Sequence, residues 1–218
     1  MKNFYVVLAV MAALGVGVLV YQMSKPAVSI PANVAVLPAD TAGFRGYVLG
    51  ADSAPVEIVE YGDYQCPGCA NFALVTFPDI QERLINTGRV RFVYRDFPLD
   101  GIHRFARLSA HAAACADEQG RFWPMNKLIF QGQPDWASGG ADRVIRGYAE
   151  AAALDMDQYD TCMESARYAG RIQASYEQGA ALGVGGTPMF LIGGRLYNAM
   201  GYDEMRRLVD SIAAAPQQ

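Results

Sequence analysis

Two cysteines separated by two residues, Cys66-Pro67-Gly68-Cys69, stand where a strand-like run turns into a helix-like one. The run before them, Val56-Glu57-Ile58-Val59-Glu60-Tyr61, is mostly apolar, as a buried strand is. From Pro67 the apolar spacing becomes helical and continues to about Thr87, with Gly88 a natural stop. A thiol at that junction sits at a helix N-terminus, where unpaired backbone N–H groups and the macrodipole favour the thiolate. A second thiol one turn further on can close a disulfide with it. Thiol–disulfide exchange needs this arrangement, an acidic nucleophile beside a resolving thiol. The competing reading is half of a zinc site. Zinc requires a second ligand pair, and the two other cysteines, Cys115 and Cys162, are far apart in the chain. No metal and no other cofactor is expected.

Elements on either side of the motif fix the fold class. Val90–Arg95 is the next strand, so the order strand, helix, strand implies a parallel pair. Pro78 should bend or break the intervening helix. Phe44–Leu49 can form a short edge strand. From His103 to Leu182 nearly every segment carries helical spacing, and roughly 80 residues of helix between two sets of strands must pack as a subdomain. Helices are expected over 103–118, 121–131, 141–153, from an Asp155 or Asp157 N-cap to about Arg167, and over 170–182. Met189–Ile192, Gly193-Gly194 and Arg195–Tyr197 read as a hairpin, and 202–214 as a closing amphipathic helix. The fold class is therefore α/β with a helical insertion at about 103–182.

Phe4 to Met23 contains no charged residue. About 20 helical residues cross a hydrocarbon core of about 30 Å, whereas a cleaved secretory signal has a shorter apolar stretch and a small-residue cleavage site. No clean cleavage pattern follows Met23. An uncleaved signal anchor over 1–23 is the first reading and a cleaved signal the second. Pro26, Pro31 and Pro38 make 24–42 an extended, poorly ordered linker, and 43–218 the folded domain. Either N-terminal reading places that domain on the extracytoplasmic side, where disulfides persist. Eighteen basic against 22 acidic residues, net −4, gives no nucleic-acid footprint.

In combination these motifs resemble the DsbA-like branch of the thioredoxin superfamily. The resemblance rests on Glu60-Tyr61-Gly62-Asp63-Tyr64-Gln65-Cys66-Pro67-Gly68-Cys69, on Gly183-Val184-Gly185-Gly186-Thr187-Pro188, and on Gln119-Gly120-Arg121-Phe122-Trp123 in the helical section. It implies a thioredoxin core interrupted by a helical domain, with Cys66 the nucleophile and Cys69 the resolving thiol. It also implies a cis bond at Pro188, which would lie against the active-site sulfurs. A proline there lacks an N–H and leaves a neighbouring carbonyl free for an incoming peptide. Glu60 lies in an apolar strand, where a carboxylate is costly without a role or a partner. The matching glutamate of the family helps move protons to and from the buried cysteine, and desolvation would raise its pKa. Some family members carry a second, structural disulfide in the insertion, which here would join Cys115 to Cys162. Closing that loop is worth roughly 4 kcal/mol in the chain-entropy model. Tyr64 and Gln65, just before the motif, are candidate substrate contacts or equally turn residues, and Thr187 is a further candidate contact beside Pro188. His103 and His111 read as ordinary helix positions, and Phe122 and Trp123 as core aromatics.

The motif does not set the direction of electron flow. Proline directly after Cys66 is the order of DsbA-like oxidants, although Gly68 stands where the best-known oxidant has histidine. Thr187 occurs in both oxidants and isomerases. A dimeric isomerase needs an N-terminal dimerisation domain, and 24–42 is too short and irregular for one. The first reading is a monomeric oxidase that gives its Cys66–Cys69 disulfide to reduced secreted proteins and is re-oxidised by a membrane quinone-linked partner. A reductase or isomerase of the same fold is the alternative. A non-catalytic chaperone or binding module with a structural disulfide is the alternative of another class.

Overall fold

A computed structural model describes residues 2–23 and 28–215. Lys2–Met23 forms α1, a helix of 22 residues. Among the described residues, which leave out several side chains of this helix, no helix is long and apolar enough to cross a membrane. The anchor is therefore taken up below as a proposal.

Five strands form one sheet in the order β1-β3-β2-β4-β5: β1 Tyr47–Leu49, β2 Val56–Gly62, β3 Val90–Asp96, β4 Met189–Ile192 and β5 Arg195–Asn198. Only β2 and β3 are parallel, with Ile58 opposite Phe92 and Glu60 opposite Tyr94. The parallel pair lies in the centre, with Val56, Ile58, Val90, Phe92, Val93 and Tyr94 buried, while Glu57 stays exposed near the start of β2. Gly193 and Gly194 both have positive φ, as the tight β4–β5 turn requires.

The helix between β2 and β3 begins as α3, Pro67–Asn71, widens to a π-helical turn at Phe72–Thr76, continues as α4, Phe77–Ile80, and widens again at Gln81–Ile85. Pro78 neither breaks nor ends it. The missing N–H of Pro78 falls just past the first wide turn, which has already shifted the hydrogen-bond ladder.

The insertion contains α5 Ala106–Asp117, α6 Phe122–Gln131, α7 Gln133–Trp136, α8 Ala141–Ala151, α9 Met156–Glu164 and α10 Ala169–Leu182; α11, Tyr202–Ala213, closes the chain. Asp155 N-caps α9 by accepting from the N–H groups of Asp157 and Gln158. His103 lies before α5, in the loop that follows β3, rather than in a helix. Phe122 stacks on Tyr47 with ring centroids 3.7 Å apart, and the Trp123 indole N–H donates to the Val48 carbonyl, so α6 is fastened to the edge strand.

Proline spacing suggests a poorly ordered linker over 24–42; its described part is a largely exposed strap tied to the domain at a few points. Ile30 is buried in the main core. The Asn33 N–H donates to Gln173 on α10. Over α2, Pro38–Thr41, the Asp40 carboxylate fills the space above Gly170, where a side chain would not fit. Arg171 is held between the rings of Phe44 and Tyr168, at 4.3 and 4.2 Å.

Candidate functional site

Cys66 is the N-cap of α3, with Pro67 in the first turn. Its carbonyl accepts the first helical hydrogen bond, from Ala70, while its sulfur faces the free N–H groups of that turn. Both motif cysteines are reduced in this structure. The Cys66 thiol is pushed down to about 5. The largest cause is a hydrogen bond from the Cys69 thiol; Thr187 and the N–H groups of Cys69 and Gly68 add to it, against partial burial. The Cys66 sulfur lies 3.3 Å from the Thr187 carbonyl oxygen. The Thr187–Pro188 bond is cis. A Cβ added at Gly68 would lie 3.3 Å from Pro188 Cδ and 3.6 Å from Cys66 Sγ. Gly68, Pro188 and Cys66 therefore share one small surface, and a larger residue at 68 would crowd the proline.

Cys69 is wholly buried. Burial pushes its thiol well above the usual range, helped by the hydrogen bond to Cys66 and by the charge of Glu60. The Asp63 N–H points at its sulfur from 3.4 Å. Glu60 is 3% exposed and its Oε1 has no hydrogen-bond partner. Burial, and secondarily Cys66, push its carboxyl up to about 8. It borders a cavity of about 10 Å³ with Tyr94, Asn126, Phe77, Trp123 and Phe130. The site thus combines an acidic thiol at the rim, a weakly acidic thiol beneath it, and a buried carboxyl able to hold a proton near neutrality.

Tyr64 does not face an incoming peptide. It is buried against Tyr94 and Phe130, and its hydroxyl accepts from Asn126 at 3.0 Å. Gln65 has both ends of its amide engaged, donating to the Ala137 carbonyl and accepting from the Phe105 N–H. These two residues position the motif turn against the insertion; of the three candidate contacts, Thr187 is the one beside Cys66. Two further residues escaped the sequence reading. Asp63 accepts from the N–H groups of Gln65 and Leu99 and pairs with His103 at 2.8 Å. Gln133 donates to the carbonyls of both Tyr64 and Cys66. Asp63 lies within the motif quoted above, but nothing in the sequence pairs Gln133 with it.

Cys115 and Cys162 are bonded to each other, joining α5 to α9 in the buried part of the insertion. His111 stands 3.4 Å from Cys115 Sγ and 3.3 Å from Met163 Sδ. The Tyr168 N–H donates to His111 Nε2, which places the ring proton on Nδ1, facing the sulfurs. Burial pushes His111 down to about 4. Although these three side chains are close enough to share an ion, a bonded cysteine pair and a protonated Nδ1 offer it no ligands.

A buried-thiol pair at a strand-to-helix junction, beside a proline that precedes an antiparallel hairpin, defines a dithiol centre of the thioredoxin type. The family model described as Thioredoxin matches residues 44–211, and the chain belongs to that family. Disulfide bond formation protein D of Bacillus subtilis (strain 168) is 26% identical over 171 residues, 75% of this chain and 75% of that protein. A relative from Salinispora tropica named Na(+)/H(+) antiporter NhaA 3 is 36% identical over 154 residues. That match covers 71% of this chain, which spans only 22% of the antiporter's length. The crystal structure of oxidised BdbD from Bacillus subtilis superposes with a TM-score of 0.71 at 24% identity, covering 77% of this chain and 92% of that one, a likeness of fold. The chain is thus similar in sequence to disulfide bond formation protein D of Bacillus species, and in fold to the BdbD and DsbA structures.

Proposed function

We propose that this chain is a thiol:disulfide oxidoreductase working as an oxidase, held by α1 at a membrane with its catalytic domain on the extracytoplasmic side. A substrate thiolate attacks Cys66 Sγ of the Cys66–Cys69 disulfide. That bond breaks, and Cys69 leaves with a proton supplied by Glu60. A second substrate thiolate then attacks the substrate sulfur of the mixed disulfide and expels Cys66 as a thiolate. Two electrons pass from the substrate dithiol to the cysteine pair, and the substrate gains a disulfide. Pro188 and the Thr187 carbonyl receive the substrate backbone beside Cys66. A membrane quinone-linked partner restores the disulfide, and the chain acts as a monomer on reduced secreted proteins.

The observation that carries this reading is the opposite treatment of the two thiols, with Cys66 acidic at the helix N-terminus and Cys69 buried and weakly acidic. An acidic Cys66 is a good leaving group, which favours the second step. It also stabilises the reduced state. A thiol held at about 5 instead of 9.0 favours that state by about 2.7 kcal/mol at pH 7, and solvent screening at the rim reduces this by about half, to roughly 30 mV. Equilibration with a glutathione redox buffer tests the reading. An oxidase should lie well above the roughly −270 mV of thioredoxin. A value at or below that, with reduction of insulin and no net oxidation of a reduced protein, would assign the chain to the reductases.

A further inference from the structure

A second buried carboxyl lies on the same sheet face as Glu60. Side chains alternate along a strand, and the register Glu60↔Tyr94, Gly62↔Asp96 and Tyr47↔Tyr94 puts all five positions on one face. Position 62 has no side chain, and Tyr94 fills the space: a Cβ there would lie 2.8 Å from the Tyr94 hydroxyl. The Tyr94 ring therefore leans along the face from the Glu60 row toward the Asp96 row. Tyr64 packs on Tyr94 with centroids 5.4 Å apart. Glu60, Tyr94, Tyr64, Asp96 and Tyr47 are all at most 3% exposed. Glu60 Oε1, both oxygens of Asp96 and the hydroxyls of Tyr47 and Tyr94 make no well-formed hydrogen bond, although the Tyr47 hydroxyl is near enough to Asp96, and the Tyr94 hydroxyl to Tyr64, to act on their ionisation. Five such polar atoms in one otherwise apolar face are costly unless protons are shared among them.

We propose that Asp96 is a positioning residue for the redox centre, coupled to Glu60 through the hydroxyls of Tyr94 and Tyr64, so that two buried carboxyls share the proton exchanged with Cys69. This rests on the exchange chemistry proposed above and not on its direction. The charge environment supports it. Tyr94 and Tyr64 each feel both Glu60 and Asp96, and Tyr94 also feels Cys69. Asp96 is pushed up to about 7, first by burial and also by Asp63; Arg95 on its own strand, Arg171 on α10 and the Tyr47 hydroxyl on β1 act against this. Asp117 on α5 faces the same cluster through Tyr47. Reduction places a thiolate at Cys66, which keeps Glu60 protonated. Release of Cys69 takes a proton from Glu60, and Asp96 shares in replacing it through Tyr94 and Tyr64, so its own titration follows the redox state.

Carbon-13 NMR of the aspartate and glutamate carboxyls in the full chain in detergent tests this, titrated in the oxidised and reduced states. The Asp96 inflection should move by about half a pH unit on reduction, a roughly threefold change in its protonation ratio. Tyr94→Phe should abolish that movement. Asp96→Asn should carry the pH profile of Cys69 release to lower pH by a similar amount. An Asp96 inflection identical in the two redox states, or one that still moves in Tyr94→Phe, would overturn the coupling. So would a folded Asp96→Asn chain with an unchanged profile. Thiolate absorbance recorded in parallel separates the two readings: an ordinary Cys66 alongside a redox-sensitive Asp96 would remove the exchange mechanism and keep the coupling.

Discussion

Replacing Glu60 by glutamine removes a charge from the buried pocket and nearly preserves the shape of the side chain. The glutamate carboxyl has an ordinary value of 4.5 and stands at about 8 in the folded, reduced chain. Between those values the folded state binds more protons than the unfolded one, so stability falls as pH rises. Integrated to pH 7, the cost of the native carboxyl is about 3 kcal/mol; it vanishes below about pH 4 and is complete above about 8. Glutamine carries no such cost. Its amide leaves about 1 kcal/mol of unmet hydrogen bonding at every pH, so the pH dependence is the informative quantity. Urea unfolding under reductant at pH 4, 5.5 and 7 should show the Glu60→Gln midpoint gaining about 1–3 M on the wild type over that range. The same variant should slow release of Cys69 on the order of a hundredfold, as loss of a positioned proton donor does. A difference between variant and wild type that stays flat from pH 4 to 7 would show that Glu60 ionises normally, and the proton-holding role would fall with it.

Alkylation of the reduced chain should occur first at Cys66, with a rate that holds its plateau down to about pH 6 and halves at about 5; Cys66→Ser should abolish the thiolate absorbance, and a more acidic Cys69 would reverse the roles. Graded reduction followed by mass mapping should open Cys66–Cys69 while Cys115–Cys162, whose residues are wholly buried, stays closed. Free thiols at 115 and 162 in air-oxidised protein would contradict the pairing. A chain beginning at residue 43 should be about 2–3 kcal/mol less stable than one beginning at 28, because it loses the burial of Ile30 and the Asn33–Gln173 hydrogen bond; equal urea midpoints would show that the strap does not stabilise the fold.

Local chemistry made much of this fold readable. Gly193-Gly194 between two apolar runs specifies a hairpin on its own, Asp155 caps α9 with its own side chain, and the cysteine motif announces its strand-to-helix junction. What escaped depends on distant partners. Prolines at 31 and 38 read as a linker because the partners of Ile30 and Asn33 lie in the folded core and on α10, with Gln173 140 positions beyond Asn33. Tyr64 beside a reactive thiol resembles a substrate contact until Asn126 and Phe130 enclose it. Asp96 ends a strand, where sequence alone expects water, and only the leaning of Tyr94 over Gly62 joins it to Glu60.

The strap also sets how far the catalytic domain can travel. Val28 already packs against the core, and α1 ends at Met23. Five peptide links between them reach at most about 18 Å when fully extended. With α1 in a bilayer, as proposed, the domain is confined to a thin shell at the membrane face. A re-oxidising partner embedded in that membrane would meet Cys66 at high effective concentration, by search in two dimensions. A soluble substrate would instead have to diffuse to the surface, so lengthening this tether should slow re-oxidation far more than it alters delivery of the disulfide.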